Sequence, residues 1–295
     1  MDFQGSYRLQ GGTTTVLSGN VSVSAGAVAT FDGNLLAETT NHTIRKRGDG
    51  RLNVNANTGQ VVVFGGTFSG NGTASYLTSL DGANVAPGEG IGTLTVTNNY
   101  VQPSTAALEI EIANSGGSTT HDVLAVGGTA EIAGELNILT AGQFSLTRGT
   151  VEDLEIVTAS AVVGEFDTVT FDGVPLVVDP ALGDQGHAGD GLFQSIDYDI
   201  LSVTLTNYFA LPGDANGDGF VDTSDFNIWN DNNFTTGTDW TTGDFNGDGV
   251  TDGSDFNVWN ENKFTSVFRP VPEPAAGLLF VLGMAGLAAI RRRNS

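Results

Sequence analysis

Leu52-Asn53-Val54-Asn55 alternates apolar and polar residues, and this pattern decides the fold class. Alternation places one face of a strand in the core and the other face toward solvent. The pattern recurs from about residue 12 to residue 206, for example at Val21–Ser24, Leu94–Thr97 and Leu201–Thr206. Clusters of Gly, Asn and Asp separate the runs and are typical of turns. Apolar residues in this region show no sustained i, i+3, i+4, i+7 spacing, so the sequence predicts an all-β fold.

Two β architectures are consistent with these runs. A parallel β-solenoid stacks short coils so that each covers the apolar edge of its neighbour, and it needs no disulfide. A β-sandwich would use similar strands with antiparallel pairing. The sequence has no strict numerical repeat, which weakens the solenoid interpretation on pattern alone. The pattern itself leaves both architectures open.

Three segments resemble autotransporter-associated β-strand repeats. Lys46–Val54 reads KRGDGRLNV and resembles the K-x-G-x-G-x-L-x-L unit of that family. Ala86–Val96 reads APGEGIGTLTV and resembles the P-G-x-x-I-G-T-L-x-V segment of the same passenger-like proteins, and His121–Gly128 continues the pattern through Glu131 to Ile138. The resemblance implies a right-handed parallel β-helix, pectin-lyase-like in shape, over residues 1–208.

Composition limits the classes of function. The chain has 34 Asp and Glu against 11 Lys and Arg, a formal net charge of −23. This excess argues against a nucleic-acid partner, because phosphate binding needs a basic stripe. Without cysteine, an exported fold must rely on core burial or metal. Met1–Gly5 lacks the basic and apolar regions of a signal peptide, whereas the C-terminus predicts export. We therefore expect a mis-assigned start or a cropped fragment.

Two twelve-residue loops, Asp214–Asp225 and Asp244–Asp255, carry oxygen side chains at positions 1, 3, 5, 9 and 12. Calcium takes about six to eight oxygen ligands, which one short loop supplies only by wrapping around the ion. One such loop alone could be a set of Asx turns in an acidic linker, but a second loop matching at every ligand position favours two Ca²⁺ sites. The predicted ligands are Asp214, Asn216, Asp218, Phe220 (carbonyl), Asp222 and Asp225, and Asp244, Asn246, Asp248, Val250 (carbonyl), Asp252 and Asp255.

Each loop leads into a matched set of apolar residues. The sets are Phe226, Ile228, Trp229 and Phe234, and Phe256, Val258, Trp259 and Phe264. Their identical offsets predict two short helices that pack with pseudo-two-fold symmetry around a small aromatic core. About 55 residues bury too little apolar surface to fold alone, and clustered carboxylates repel one another. We therefore expect calcium to be required for folding of this module, residues 209–268.

The segment from Pro212 to about Phe264 resembles a type I dockerin. That family binds a cohesin domain of a partner, often in polysaccharide-degrading assemblies. The resemblance implies a cohesin-like partner and places contact residues at loop positions 10 and 11, here Thr223, Ser224, Gly253 and Ser254. Gly253 departs from the family pattern, and Asn230-Asp231 and Asn260-Glu261 replace the basic residues usual later in dockerin helices.

Residues 269–295 have the pattern of a sorting signal. Pro272-Glu273-Pro274 is followed by uncharged Ala275–Ile290 and then by Arg291-Arg292-Arg293. A helix of that length spans about 24 Å, less than the ~30 Å hydrocarbon core, and the arginines predict a cytoplasmic end. The tail resembles the PEP-CTERM signal, which implies cleavage by an exosortase in a Gram-negative-type envelope. The chain would then be anchored only transiently in the inner membrane.

No catalytic constellation emerges from the sequence. His42, His121 and His187 are isolated and have no nucleophile motif or metal-ligand spacing nearby. Glu109 and Glu111 alternate with apolar residues, which predicts that both face solvent on one side of a strand. The basic cluster Arg45–Arg47 is interpreted as a solvated turn.

These features predict an exported structural or interaction protein, displayed at the cell surface or in the extracellular matrix and carrying a calcium-dependent docking module. An alternative is a carbohydrate-active β-helix, a glycoside hydrolase or polysaccharide lyase, brought to an extracellular polysaccharide by that module. A third interpretation gives the module no partner, so that it joins the β region to the anchor as a structural element.

Overall fold

The computed structural model describes residues 1–38, 42–115, 118–142, 144–177 and 185–267. The described part is mainly β, with two α-helices near its C-terminal end. The strands in chain order are β1 Asp2–Phe3, β2 Tyr7–Leu9, β3 Thr13–Val16, β4 Asn20–Val23, β5 Val28–Phe31, β6 Asn34–Ala37, β7 Ile44–Arg47, β8 Arg51–Val54, β9 Gln60–Val63, β10 Gly66–Gly70, β11 Thr73–Ala74, β12 Tyr76–Ser79, β13 Ala83–Pro87, β14 Thr93–Val96, β15 Tyr100–Val101, β16 Ala107–Ser115, β17 Ser118–His121, β18 Val123–Val126, β19 Thr129–Glu131, β20 Glu135–Thr140, β21 Thr150–Thr158, β22 Ala161–Val163, β23 Thr168–Phe171, β24 Val174–Pro175, β25 Gly186–His187, β26 Leu192–Tyr198, β27 Ser202–Phe209, β28 Thr235–Thr236 and β29 Val250–Thr251. The helices are α1 Thr223–Asn232 and α2 Gly253–Asn262, with a 3₁₀ turn at Trp240–Thr242 between them.

Successive strands of the β region join three different sheets in turn, so the β region has three sides. Strands β1, β2 and β3 lie in different sheets, and β4, β5 and β6 pair with them in parallel in the same order. The first sheet continues as β1-β4-β7-β9-β12-β15-β19-β22 and the second as β2-β5-β8-β10-β13-β16-β20-β23, parallel throughout. On the third side β11, β14, β18 and β21 are parallel. This pairing contradicts a β-sandwich and is compatible with the predicted β-helix.

Coil length varies along the β region. Val62 pairs with Thr78, 16 residues later, whereas Glu131 pairs with Val163, 32 residues later. The longer coils hold larger insertions between their strands, such as the β16–β17 hairpin. This variation explains why the sequence shows no numerical repeat although its strands stack in parallel.

The alternating runs fill the interior as predicted. Leu52 and Val54 are 0% and 1% exposed, and Leu52 stacks between Ala29 and Phe68 of the neighbouring strands. Asn53 lies on the opposite face but is also buried, and its amide donates a hydrogen bond to the Thr30 hydroxyl at 3.2 Å. The outer face of this sheet therefore contains a buried polar ladder in addition to solvated groups.

Lys46 contradicts the interpretation of Arg45–Arg47 as a solvated turn. Its register places it between Val21 and Val63 on the inward side of the first sheet, where it is fully buried. The ammonium donates to the carbonyls of Gly48 and Gly65 at 2.6 and 2.7 Å. Period-2 alternation points this side chain inward, and the carbonyls compensate for the lost hydration of its charge.

The β region ends in an antiparallel extension of the third side. Strand β21 pairs with β27, β27 pairs with β26, and β26 pairs with β25. Phe193 of β26 and Tyr208 of β27 are fully buried in a second core, which they share with the two-helix segment that follows. Strand β27 ends at Phe209, next to the predicted module boundary.

Candidate calcium centre

The two predicted calcium loops each lead into a helix of ten residues. Loop 1, Asp214–Asp225, runs into α1, and loop 2, Asp244–Asp255, runs into α2. In loop 1 the Asp222 carboxylate accepts a hydrogen bond from the Ser224 amide at 2.7 Å, and the Asp225 carboxylate accepts one from the Asp222 amide at 2.8 Å. This capping box satisfies amides that the first helical turn leaves without partners. Loop 2 repeats both bonds.

The first side chain of each loop organises a sharp turn. The Asp214 carboxylate accepts hydrogen bonds from the amides of Gly217 and Gly219 at 2.8 and 3.0 Å. These glycines have φ angles of 68° and 86°, which a residue with a Cβ adopts at a cost. Loop 2 has the same bonds and similar angles at the equivalent positions. Glycine therefore allows the sharp turn at loop position 6, and position 4 needs glycine for the same reason.

The last side chain of each loop holds the backbone from the other side. Asp225 is fully buried, and its Oδ1 accepts hydrogen bonds from the amides of Ala215 at 2.8 Å and Asn216 at 3.3 Å. Asp255 makes the equivalent two bonds in loop 2. Each loop backbone thus wraps around the carboxylates at positions 1 and 12.

The remaining predicted ligands lie nearer the loop surface. Asn216 is half-buried, whereas Asp218 and Asp222 are exposed. Asp218 accepts a hydrogen bond from the Phe220 amide at 2.8 Å, and its partner in loop 2 accepts one from Val250 at 3.0 Å. The predicted side-chain ligands at positions 3, 5 and 9 of loop 1 are therefore more exposed than the buried carboxylates at positions 1 and 12.

Loop 1 concentrates negative charge. Burial, reinforced by repulsion from Asp225, raises the pKa of Asp214 to about 7, and burial raises that of Asp225 to about 6. Among the described residues, no Lys or Arg forms an ion pair with a carboxylate of either loop. In loop 2 burial raises the pKa of Asp255, whereas hydrogen bonds from Ser254 lower that of Asp252.

The residues of both loops fit a calcium ion in chemistry and charge. Neither loop contains His, Cys, Lys or Arg, and oxygen donors are what Ca²⁺ prefers. A cation would also offset the repulsion between the buried carboxylates. Across the described ranges, no group of three or more His, Cys, Asp or Glu side chains is arranged to hold a metal, since these carboxylates are turned toward backbone amides. The ligand assignment therefore stays a prediction.

Each helix is bonded to the loop of the other half. The Trp229 indole of α1 donates a hydrogen bond to the Asp252 carbonyl of loop 2 at 2.8 Å. The Trp259 indole of α2 donates to the Asp222 carbonyl of loop 1 at 2.9 Å. The two halves therefore cross over with the expected pseudo-two-fold relation, and each loop is held in part by the opposite helix.

The segments that leave the helices cross over in the same way. Exit segment 1, residues 234–237, follows α1. Its Phe234 amide donates a hydrogen bond to the Thr251 carbonyl at 2.7 Å, and its Gly237 amide donates one to the Gly249 carbonyl at 2.8 Å. Exit segment 2, residues 264–267, follows α2 and makes the equivalent bonds to loop 1. The two acidic loops are thus interlocked through both helices and both exit segments.

The aromatic core of the module is smaller than expected. Phe226 packs on Trp259 and Phe256 packs on Trp229, with ring centroids 5.0 and 5.1 Å apart. Phe234 and Phe264, the last members of the predicted sets, are instead about 80% exposed. They lie outside the core because the chain has left the helix and turned to the opposite loop, with φ of 63° and 67° at these residues.

Loop 1 also docks against the β region. The Tyr208 hydroxyl donates a hydrogen bond to Asp214 Oδ2 at 2.6 Å, and the Trp240 indole donates to the Asp214 carbonyl at 2.6 Å. The Arg148 guanidinium lies between the rings of Phe209 and Trp240, 4.1 and 3.9 Å from their centroids. Sequence reasoning missed these residues. Tyr208 lies inside an alternating run, and Trp240 is the one tryptophan outside the repeated sets.

A cleft of about 920 Å³ separates loop 2 from the β region. Its lining includes Arg148, His187, Asp190, Asp239 and Asp244. Of the residues expected to contact a partner, Thr223, Ser224, Gly253 and Ser254 all lie exposed on the first turns of α1 and α2. These helix surfaces and the cleft are both accessible to a partner or ligand.

The other sequence candidates are not brought together. His42 has its Nδ1 2.6 Å from the Ala37 carbonyl, and His187 accepts a hydrogen bond from the Gly191 amide at 3.1 Å. Glu109 accepts hydrogen bonds from Asn84 and Arg51 at 2.9 and 3.4 Å, and burial raises its pKa. The face that it shares with Glu111 is therefore partly covered and not fully solvated as expected.

The predicted apolar helix Ala275–Ile290, and the sorting residues Pro272–Pro274 and Arg291–Arg293, lie outside the described residues. Within the described part, no helix is both long and apolar enough to cross a membrane. A comparison with curated proteins finds no match to this chain. A comparison with family models matches residues 270–293, so the chain carries a PEP-CTERM protein-sorting motif, which indicates export and sorting to the cell surface.

Proposed function

We propose that this chain is an exported cell-surface structural or interaction protein with a dockerin-like module that binds two calcium ions and a partner. An exosortase would process its C-terminal signal. The observation that carries the proposal is the interlock of two matching acidic loops, with Trp229 and Trp259 each donating to the opposite loop. This arrangement lies directly before the sorting motif.

The β region is proposed to be a right-handed β-helix of the autotransporter-associated type, over residues 1–208. The parallel rotation of strands over three sides supports a helical course. In such a coil each turn covers the apolar edge of the previous one, so a cysteine-free exported chain builds a continuous core. Its role is to be displayed at the cell surface, with the module lying between it and the sorting motif.

The calcium proposal is supported by the buried acidic pairs Asp214–Asp225 and Asp244–Asp255. Bound calcium would supply the positive charge that these pairs lack. The test is a calcium titration of the full chain followed by tryptophan fluorescence, because all three tryptophans lie in the module. The matched variants D218A and D248A remove one exposed carboxylate from each loop. We expect two ions to bind to the unaltered chain and about one to each variant at moderate calcium, whereas two ions bound to both variants would contradict the ligand assignment.

Docking is proposed to use the exposed first turns of α1 and α2, and the partner class is a cohesin-like domain. Thr223 and Ser224 match the family pattern at these positions, and both are exposed. The test uses the full chain as bait against cohesin-like domains, with calcium and with chelator, and the double variant T223A/S224A as control. Retention that needs calcium and is lost in the variant is the expected result. Calcium-induced folding without retention would favour a purely structural module.

Sorting is tested by replacing Pro272-Glu273-Pro274 with alanines. The unaltered chain is expected to reach the cell surface in a shortened form. The variant is expected to stay full length in the membrane fraction, because the exosortase would no longer recognise it. Equal processing of both chains would contradict the role of this triplet.

The cleft beside Asp190 and Asp239 favours one second candidate function, a carbohydrate-active β-helix protein. At about 920 Å³ it is large enough for a short saccharide, and it is lined by carboxylates together with Arg148. The test is release of reducing ends or unsaturated products from plant and algal polysaccharides by the full chain. Activity that is lost in D190N and D239N would support the enzyme, and no release from any polysaccharide would remove it.

A further inference from the structure

Exit segment 2 connects the calcium module to the sorting motif. It ends at Val267, and the matched motif begins at residue 270. The structure holds the segment against loop 1. Its first and last amides donate to the carbonyls of Val221 and Gly219 at 2.7 and 2.9 Å, and the Val221 amide donates to the Thr265 carbonyl at 2.9 Å. The chain leading to the motif is therefore paired with a predicted calcium loop.

The paired part of loop 1 is the part organised by its buried carboxylates. The Gly219 amide donates to Asp214 at 3.0 Å while the Gly219 carbonyl accepts from Val267, so one residue joins the first predicted ligand to the exit segment. The Asp222 amide, immediately after Val221, donates to Asp225 at 2.8 Å. An ion held by Asp214 and Asp225 would fix this same backbone. Calcium at loop 1 and pairing of exit segment 2 would therefore stabilise each other.

Val267 is also held by the second core. Its side chain packs against the cluster that includes Tyr208 and Trp240. A Cβ built on Gly149 of the β region would lie 3.1 Å from Val267 Cγ1, which shows how closely the two approach. From this fixed point to Pro272 the chain can reach at most about 18 Å. The folded module therefore stays close to the Pro-Glu-Pro triplet.

We propose that calcium bound at loop 1 holds exit segment 2 on the module and thereby slows cleavage of the sorting signal by the exosortase. The inference rests on the proposed function and adds regulation to it. Processing enzymes bind peptide substrates as extended chains, and residues already paired with loop 1 are not available for that. Release of the four residues of exit segment 2 lengthens the accessible tether by about 14 Å. Cleavage itself breaks one peptide bond, and water or an amine acceptor takes the acyl group.

Amide hydrogen exchange on the full chain, with calcium and with chelator, tests the coupling. Calcium is expected to slow exchange of the Val267 amide at least ~10-fold, in step with the Gly217 and Gly219 amides of loop 1. Protection of the loop amides without protection of Val267 would overturn the inference and leave the calcium proposal standing. No protection of either loop by calcium would overturn both.

Processing in an exosortase-containing bacterium tests the consequence. V267P removes the amide that donates to Gly219 and leaves every predicted calcium ligand in place. V267A keeps the amide and is the matched control for the lost side-chain packing. We expect V267P to be processed about fivefold faster than V267A, the factor that one net hydrogen bond supplies. Equal rates for the two variants would overturn the inference.

Discussion

Loop 1 and loop 2 match at every predicted side-chain ligand but occupy different surroundings. Asp214 of loop 1 accepts a hydrogen bond from Tyr208 of the β region, and Gly217 is covered by Phe193. In loop 2 the equivalent Asp244 is bonded to its own backbone, and Gly247 is exposed. Two copies of one loop motif therefore acquire different stabilities from their neighbours. We expect loop 1 to be the more rigid site and loop 2 the more adaptable one.

The largest expected effect is the removal of calcium. At ion concentrations of ~1,000 times Kd, each site contributes about 4 kcal/mol, so chelation removes about 8 kcal/mol from the module. Because the halves are interlocked, both are expected to unfold together. Tryptophan fluorescence during urea unfolding, with calcium and with chelator, measures the change. Unfolding of one loop–helix half while the other stays folded would show that the contacts between the halves contribute little to stability.

Alanine substitution at position 4 measures the difference between the loops. G217A and G247A both place a Cβ at positive φ, at a cost of about 1–2 kcal/mol. At Gly217 that Cβ would also lie 2.6 Å from the Phe193 ring, whereas at Gly247 it meets nothing within 4 Å. We therefore expect G217A to be more destabilising by a further ~1–3 kcal/mol. Equal unfolding free energies of the two variants would remove the proposed asymmetry.

Tyr208→Phe tests the bond between loop 1 and the β region. Hydrogen bonds to charged groups contribute about 1.5–3 kcal/mol, so we expect a loss of about 2 kcal/mol together with weaker calcium binding at loop 1. Tyr100→Phe is the control, since the Tyr100 hydroxyl donates to Gln102 at 2.6 Å inside the β region. The control is expected to lower stability without changing calcium affinity. An unchanged affinity in Tyr208→Phe would mean that loop 1 gains nothing from docking.

Substitutions at Trp229 and Trp259 test whether each helix stabilises the loop of the opposite half. Trp229→Phe removes the donor to loop 2 and Trp259→Phe the donor to loop 1, each at a cost of about 1 kcal/mol. We expect each variant to weaken calcium binding at the loop on the opposite half. Calorimetric titration of the two variants identifies the affected site by comparison with D218A and D248A. An effect confined to the loop on the same half would contradict the crossover.

A pH dependence tests the β region separately from the loops. Asp122 is buried between the amides of Gly92 and Glu111, at 2.7 and 2.9 Å, and burial raises its pKa to about 7. A folded-state pKa above the unfolded value of 3.8 gives stability that is present at low pH and lost as pH rises toward about 7. With calcium saturating, far-UV circular dichroism of urea unfolding at pH 5 and 7.5 measures the slope. D122N is expected to reduce the change in unfolding free energy between the two pH values. An unchanged pH dependence in D122N would show that Asp122 is not its source.

The sequence predicted local features well and packing between distant segments poorly. Alternation identified Leu52 and Val54 as core residues, and the loop spacing located both helices. It did not identify Tyr208 or Trp240 as neighbours of loop 1, because those contacts depend on how β26 and β27 fold back. Phe234 and Phe264 were expected in the core, but each helix ends two residues before its phenylalanine and the chain then turns away.

Isothermal titration of the full chain with calcium, starting from chelator-treated protein, tests the two-site account most directly. We expect two ions per chain, with the first binding at loop 1 and the second binding more weakly at loop 2. Repeating the titration with D218A should remove the tighter step. A chain that binds no calcium, while its tryptophans remain equally ordered in chelator, would contradict the account.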